Sequence, residues 1–202
     1  MLSEKYEDLS DIEEDAEEEE EPAFVIYKDG IGYVPKEESD RISQQGFYGN
    51  RCDDGRLEIK PVEMLHLLER KRIIVTTPNG LEIHAEDIVS DRIKLDEDLW
   101  VKYLVFRDLR SRGYAVREGF GGGIDFRVYA RGEKPGQSNA DLLIYVMREG
   151  IAISLVDLDM VTEAASVSRK KLIFALVDQN GEVNYYKVAQ SKLKGEDDKE
   201  ND

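Results

Sequence analysis

The segment 171–177, Lys-Leu-Ile-Phe-Ala-Leu-Val, constrains the fold more than any other. It is a continuous apolar run, too short for a buried helix and bounded by turn residues, so it predicts a central strand covered on both faces. Asp178-Gln179-Asn180-Gly181 follows, and its Asn-Gly pair suits a tight hairpin. Residues 182–188 then alternate and return as a second strand. A strand buried on both faces needs helices to cover it, and two lie upstream. In 96–113, Leu99, Tyr103, Phe106 and Leu109, with Val105, share one face. Acids are expected in its first turn and bases in its last, as the macrodipole favours, and Gly113 stops it. Residues 153–168 form the other helix. Strands are expected between them at 114–117, 124–129 and 140–147. The order α-β-β-β-α-β-β over 95–191 predicts a mixed sheet flanked by helices.

Residues 22–94 read as a smaller unit. Strands at 23–27 and 31–34 are joined by Lys28-Asp29-Gly30. A short helix or loop over 36–50 ends in Gly46-Phe47-Tyr48-Gly49-Asn50. A strand at 56–60 precedes Pro61, which opens a helix over 61–70 with Val62, Met64, Leu65 and Leu68 as its apolar stripe. Strands at 72–76 and 81–83 and a short helix at 84–89 complete it. The expected fold class is therefore α+β, in two small domains, 22–94 and 95–191.

A net charge of −16 argues at first against a nucleic-acid partner. Its distribution changes that argument. Residues 1–21 hold twelve acids and one lysine, and residues 192–202 hold five acids and three lysines. Removing their −11 and −2 leaves only −3 on 22–191. Blocks of like charge favour disorder, so an acidic tail over 1–21 and a charged tail over 192–202 are expected to be disordered. In the near-neutral body, Arg107, Arg110, Arg112, Arg117, Arg127, Arg131, Lys134, Arg169, Lys170 and Lys171 gather in the second unit. Such a cluster can meet phosphate, or can be ordinary solvated surface. One cysteine, Cys52, cannot form an internal disulfide, and two histidines with one cysteine argue against a His/Cys metal cage. No apolar run reaches membrane-spanning length, and the acidic start does not read as a signal peptide. A cytoplasmic protein without a membrane partner is expected.

The chemistry concentrates around 119–139. Gly121-Gly122-Gly123 reads as a flexible turn or an anion nest, and not as a dinucleotide fingerprint, because a strand follows it. Tyr129 ends that strand, where a side chain can project into a cleft, and Asn139 lies at the mouth of the next. Arg169-Lys170-Lys171 occupies a helix-to-strand junction that can aim one ammonium at the same cleft. An ammonium there suits a phosphorane-like transition state. Asp125, Glu118 and a nearby lysine leave open a metal-dependent nuclease or DNA-junction protein. His66 falls in the 61–70 helix and reads as structural.

Residues 101–190 resemble the catalytic domain of the archaeal tRNA-splicing (tRNA-intron) endonucleases. The resemblance rests on residues 103–114 (Tyr-Leu-Val-Phe-Arg-Asp-Leu-Arg-Ser-Arg-Gly-Tyr) and 125–132 (Asp-Phe-Arg-Val-Tyr-Ala-Arg-Gly) with Pro135-Gly136. It continues through 168–172 (Ser-Arg-Lys-Lys-Leu) and 177–181 (Val-Asp-Gln-Asn-Gly) with Tyr185-Tyr186. Residues 22–92 are similar, less specifically, to the family's smaller N-terminal domain. The resemblance implies a fold of the restriction-endonuclease-like kind. It also implies cleavage of precursor tRNA at bulge-helix-bulge sites without metal or other cofactor, leaving a 2′,3′-cyclic phosphate and a 5′-hydroxyl.

The family's catalytic triad is a tyrosine base, a histidine acid and a lysine that stabilises charge. Tyr129 and Lys170 match the first and last, and Asn139 stands at the histidine position. A carboxamide cannot donate a proton and regain it near neutral pH, and losing a general acid costs about 10²–10⁴-fold in rate. Two arginines that clamp the flipped base in the family correspond to Glu163 and to Val188-Ala189-Gln190. The resemblance therefore implies a structural, non-catalytic subunit of a heterotetramer, partnered by a catalytic endonuclease subunit and by precursor tRNA. Asp178, Asn180, Gly181 and Glu182 match the family's docking loop. Tyr185 and Tyr186 lie on the strand that pairs between subunits. Arg127, Arg131, Arg169 and Lys171 are the expected RNA-contacting side chains. The alternative is an active endonuclease in which Tyr129 and Lys170 work with a substitute acid.

Overall fold

A computed structural model describes residues 21–191. The expected tails, 1–21 and 192–202, lie outside these described residues apart from Glu21. The first unit contains β1 (Ala23–Lys28), β2 (Ile31–Val34), α1 (Lys36–Gln44), β3 (Asn50–Arg51), β4 (Leu57–Ile59) and α2 (Pro61–Glu69). It ends with β5 (Ile73–Thr76), β6 (Glu82–Ile83) and α3 (Ala85–Arg92). The second contains α4 (Leu99–Ser111), β7 (Ala115–Gly121), β8 (Ile124–Tyr129), β9 (Leu142–Arg148), α5 (Leu155–Ser168), β10 (Lys171–Val177) and β11 (Val183–Val188). The α+β class holds.

The first sheet runs β3-β4-β2-β1-β5-β6 and the second β11-β10-β9-β8-β7. In the second, β8 is antiparallel to both β7 and β9, β9 and β10 are parallel, and β10 and β11 form the Asn-Gly hairpin. The apolar run of β10 is an inner strand, but β9 takes the centre and β11 lies at the edge.

Both faces of this sheet are covered, as the apolar run requires. Leu143, Leu172, Phe174 and Ile124 pack with Val161 and Ala165 of α5. Phe126, Val128, Ile144, Ala175 and Val177 pack toward α4. Helix α4 also lies against α2, whose other side covers β2 and β5. One apolar core therefore runs from Val25, Leu57 and Met64 through Phe106 to Ala175. Ser154 caps α5: its hydroxyl oxygen accepts from the Asp157 amide at 3.0 Å.

Several boundaries differ from the sequence reading. Helix α4 starts at Leu99, with no acid in its first turn. Asp96 instead closes the preceding turn: its carboxylate accepts from Lys102 Nζ at 2.9 and 3.0 Å, and its carbonyl from the Leu99 amide. Strand β7 extends to Gly121, with an irregular register between Glu118 and Gly121. Gly121, Gly122 and Gly123 all take positive φ in the β7–β8 turn. A side chain at Gly123 would place its Cβ 2.8 Å from Val161 Cγ1.

Candidate functional site

Strand direction assembles the site. Because β8 opposes β9 and β9 parallels β10, the end of β8 meets the beginnings of β9 and β10. The Asp141 amide donates to Val128 O at 2.9 Å, and the Lys171 amide to Asp141 O at 3.2 Å. Tyr129, Asn139 and Lys170 therefore share one end of the sheet. Their common neighbour is Ala140. Lys170 Nζ donates to the Ala140 carbonyl at 2.6 Å, and Tyr129 packs with Ala140 and Ala115. Asn139, immediately before Ala140, is exposed.

Tyr129 does not project into an open cleft as its strand-end position led us to expect. It is 6% exposed, because Phe47 of the first unit packs against its cluster. The placement of Lys170 follows from the end of α5. Arg169 adopts left-handed φ 54, and the Lys170 amide donates back to Ala165 O at 3.0 Å. This reversal turns the chain from helix into β10.

Beside Lys170 lies a cavity of about 370 Å³, lined by Lys170, Lys171, Lys187, Ser166 and Gln190 among others. Among the described residues, neither Lys171 nor Lys187 is paired with a carboxylate. The same holds for Arg131, Lys134 and Arg169; Arg131 lies over the Tyr114 ring at 5.3 Å. Lys187 was not singled out in sequence; only the β10–β11 register, Leu172 opposite Val188, brings it here. Arg127 is set apart from the other expected RNA contacts. It donates to Glu118 O at 2.9 Å and lies 5.9 Å from the Phe120 ring, toward the β7–β8 turn.

The opposite end of the sheet is acidic. Asp178 Oδ1 accepts from the Asn180 and Glu182 amides, both at 2.9 Å, and the Gly181 amide donates to Asp178 O. Gly181 takes φ 81. The Glu149 carboxylate lies beneath, within 3.4 Å of the Gln179 amide. Asn180 and Glu182 are exposed. The two tyrosines of β11 differ. Tyr185 donates to Asp108 Oδ2 at 2.7 Å under the Arg112 guanidinium, so its hydroxyl is used within the chain. Burial and this carboxylate push the Tyr185 hydroxyl well above its ordinary range. Tyr186 is 54% exposed on the edge strand.

Neither histidine packs at the Tyr129 end. His66 is buried between the rings of Tyr48 and Phe106. Burial, then the charges of Arg110 and Arg70, lower its pKa to about 4. His84 is exposed at the start of α3. Asp125 accepts from the Val146 amide at 2.8 Å and lies 3.5 Å from Lys102 Nζ. Burial raises its carboxyl, against those two contacts. It lines a cavity of about 410 Å³ between the two units, with Glu118, Lys60 and Glu63. Among the described residues no three His, Cys, Asp or Glu side chains converge as metal ligands would.

The fold and site thus define a two-domain α+β protein with a cationic cluster at the end of a mixed sheet. Residues 99–185 match the model of the tRNA intron endonuclease catalytic C-terminal domain, and residues 27–89 match that of its N-terminal domain. The tRNA-splicing endonuclease of Methanothermobacter thermautotrophicus is 34% identical over 148 residues, 73% of this chain and 85% of that protein. The Pyrococcus furiosus enzyme of the same name is 39% identical over 138 residues, 68% and 78% of the two chains. The Methanococcoides burtonii enzyme is 34% identical over 171 residues, and there the chain spans about half of the relative, 47%. The chain belongs to the tRNA intron endonuclease family.

Proposed function

We propose that this chain is a structural subunit of a tRNA-splicing endonuclease, acting in the cytoplasm. It positions precursor tRNA and a catalytic partner, and leaves cleavage to that partner. The observation that carries this reading is the composition of the Tyr129 end. Tyr129 and Lys170 converge on Ala140, but the adjacent side chain is the amide of Asn139. An amide does not ionise near neutral pH, so it cannot serve as a general acid. His66 is committed to the core and His84 to α3, so neither supplies the missing acid.

Arg131, Arg169, Lys171 and Lys187 lack carboxylate partners among the described residues, which suits an RNA backbone. Asp178 holds the acidic hairpin in a fixed shape, with Asn180, Gly181 and Glu182 presented for a basic pocket on the partner. Tyr186 and the free side of β11 offer a strand edge for pairing. Leu155, Val156 and Val167 leave the outer face of α5 exposed and apolar, as a subunit contact requires.

The test is cleavage of a bulge-helix-bulge RNA by the purified chain, alone and mixed with a triad-complete subunit. We expect little cleavage alone and restoration on mixing. Robust metal-free cleavage by the chain alone would overturn the proposal. The second reading, an active enzyme, is favoured by the shared placement of Tyr129 and Lys170. Under it, Tyr129→Phe in the assembled complex lowers the rate severely; under the structural reading it does not.

A further inference from the structure

The first unit packs against the Tyr129 cluster at Phe47. Phe47 lies between α1 and β3 and packs against the cluster of Tyr129, Ala115 and Ala140. Its backbone is left-handed, with φ 59, a conformation that is sterically costly for any residue with a Cβ. Glycines stand at 46 and 49, so a non-glycine between them calls for a compensating contact.

Two arginines of the second unit supply the compensation. Arg117 on β7 donates through Nη1 to Phe47 O at 2.6 Å and to Gly49 O, and through Nη2 to Asn50 Oδ1. Arg110 on α4 donates to Gly46 O at 2.9 Å and to the Tyr48 hydroxyl at 3.2 Å, with its guanidinium 4.7 Å from the Tyr48 ring. From the other side, the Gly49 amide donates to Glu63 Oε1 at 2.9 Å. Gly49 takes φ 67, and a Cβ there would lie 2.7 Å from Glu58 O. The loop is thus fixed on three sides, and the Phe47 ring is fixed with it. The support extends one step further, because Ala140, packed in this cluster, accepts the Lys170 ammonium.

We infer that Phe47 is a positioning residue for Tyr129 and Lys170, held in place by Arg110 and Arg117. The first unit thereby sets the geometry of the end that faces RNA. The RNA-facing role rests on the function proposed above; the positioning is measured without RNA.

The experiment is nitration of the full-length chain by tetranitromethane, with each tyrosine followed by peptide mapping. Phe47→Gly deletes the ring but suits the left-handed backbone, so it separates loss of the contact from loss of the loop. We expect Tyr129 in F47G to react severalfold faster than in the parent, while exposed Tyr186 keeps its rate. F47L, which retains bulk, stays close to the parent. Ile42→Val thins the core of the same unit away from Tyr129 and leaves its rate unchanged. R117A reproduces the effect of F47G by releasing the loop. An unchanged Tyr129 rate in F47G, or an equal rise in I42V, overturns the inference. Binding of a bulge-helix-bulge RNA is measured in parallel and is expected to weaken severalfold in F47G. If Lys171→Glu binds that RNA as tightly as the parent, the RNA reading falls, and nitration still decides the role of Phe47.

Discussion

The two ends of the second sheet are built from the same strands and carry opposite chemistry. At the end holding Tyr129 and Lys170, Lys171, Lys187, Arg131 and Arg169 stand without carboxylate partners among the described residues. At the other end, Asp178, Glu182 and Glu149 surround the β10–β11 hairpin, and Asp178 spends its carboxylate on that turn. The means of support differ too. The cationic end leans on Phe47 of the first unit, whereas the acidic end is folded by its own backbone. One sheet can thus present phosphate-seeking and cation-seeking surfaces, because strand direction sends adjacent connections to opposite ends.

The strongest way to break this division is charge reversal at the cationic end. Lys171→Glu with Lys187→Glu is expected to lower affinity for precursor-like RNA roughly a hundredfold at low salt and to flatten its salt dependence. Association with a catalytic subunit should persist. Binding isotherms over a salt series measure the first effect and sedimentation the second. Loss of both together would erase the distinction between the ends.

Acid loosens the support behind the cationic end. His66 has a folded pKa of about 4, below its ordinary value of 6.5. The unfolded chain therefore binds the extra proton first. The contribution of His66 is fully present above about pH 6.5 and is lost as pH falls toward 4. Between about pH 7 and pH 5 the loss is about 2 kcal/mol. His66→Gln should remove that slope in denaturant titrations at several pH values, and an unchanged slope would refute the assignment.

At the acidic end, Asp178→Ala removes two accepted hydrogen bonds and one charge. Partner affinity should fall about tenfold and stability by about 1 kcal/mol, with RNA binding unchanged. Sedimentation and thermal melting separate these effects. The smallest change is Arg169→Gly. Relief of the left-handed backbone is expected to raise stability by about 0.5 kcal/mol, while RNA binding weakens slightly. A fall in stability would mean that the Arg169 side chain supports the α5–β10 reversal.

Local pattern made much of this visible in the sequence. Strands β8 and β10 follow their predicted spans, since the alternation of one and the apolar run of the other are complete within a few residues. The start of α4 was misplaced because Asp96 is used by Lys102, a side-chain contact that propensity does not encode. The site was legible where chemistry sits in short blocks, as at Tyr129 and Arg169-Lys170-Lys171. Lys187 required the register of a hairpin. Phe47 required a contact between units, announced only by its glycine-rich surroundings. The bond from the Tyr185 hydroxyl to Asp108 of α4 spans 77 residues, so it too was beyond local pattern.

The packing of α2 against α4 also bears on how this chain comes apart. Val101, Val105 and Phe106 belong to one apolar core with Leu57, Met64 and Val75 of the first unit. Separating the units would expose both sides at once, so they should unfold as one cooperative species. A single melting transition is expected, with a denaturant m-value that reflects surface from both sheets. A fragment starting at residue 95 would then carry an uncovered helix and a tendency to aggregate. Domains that are distinct in sequence can in this way be inseparable in thermodynamics.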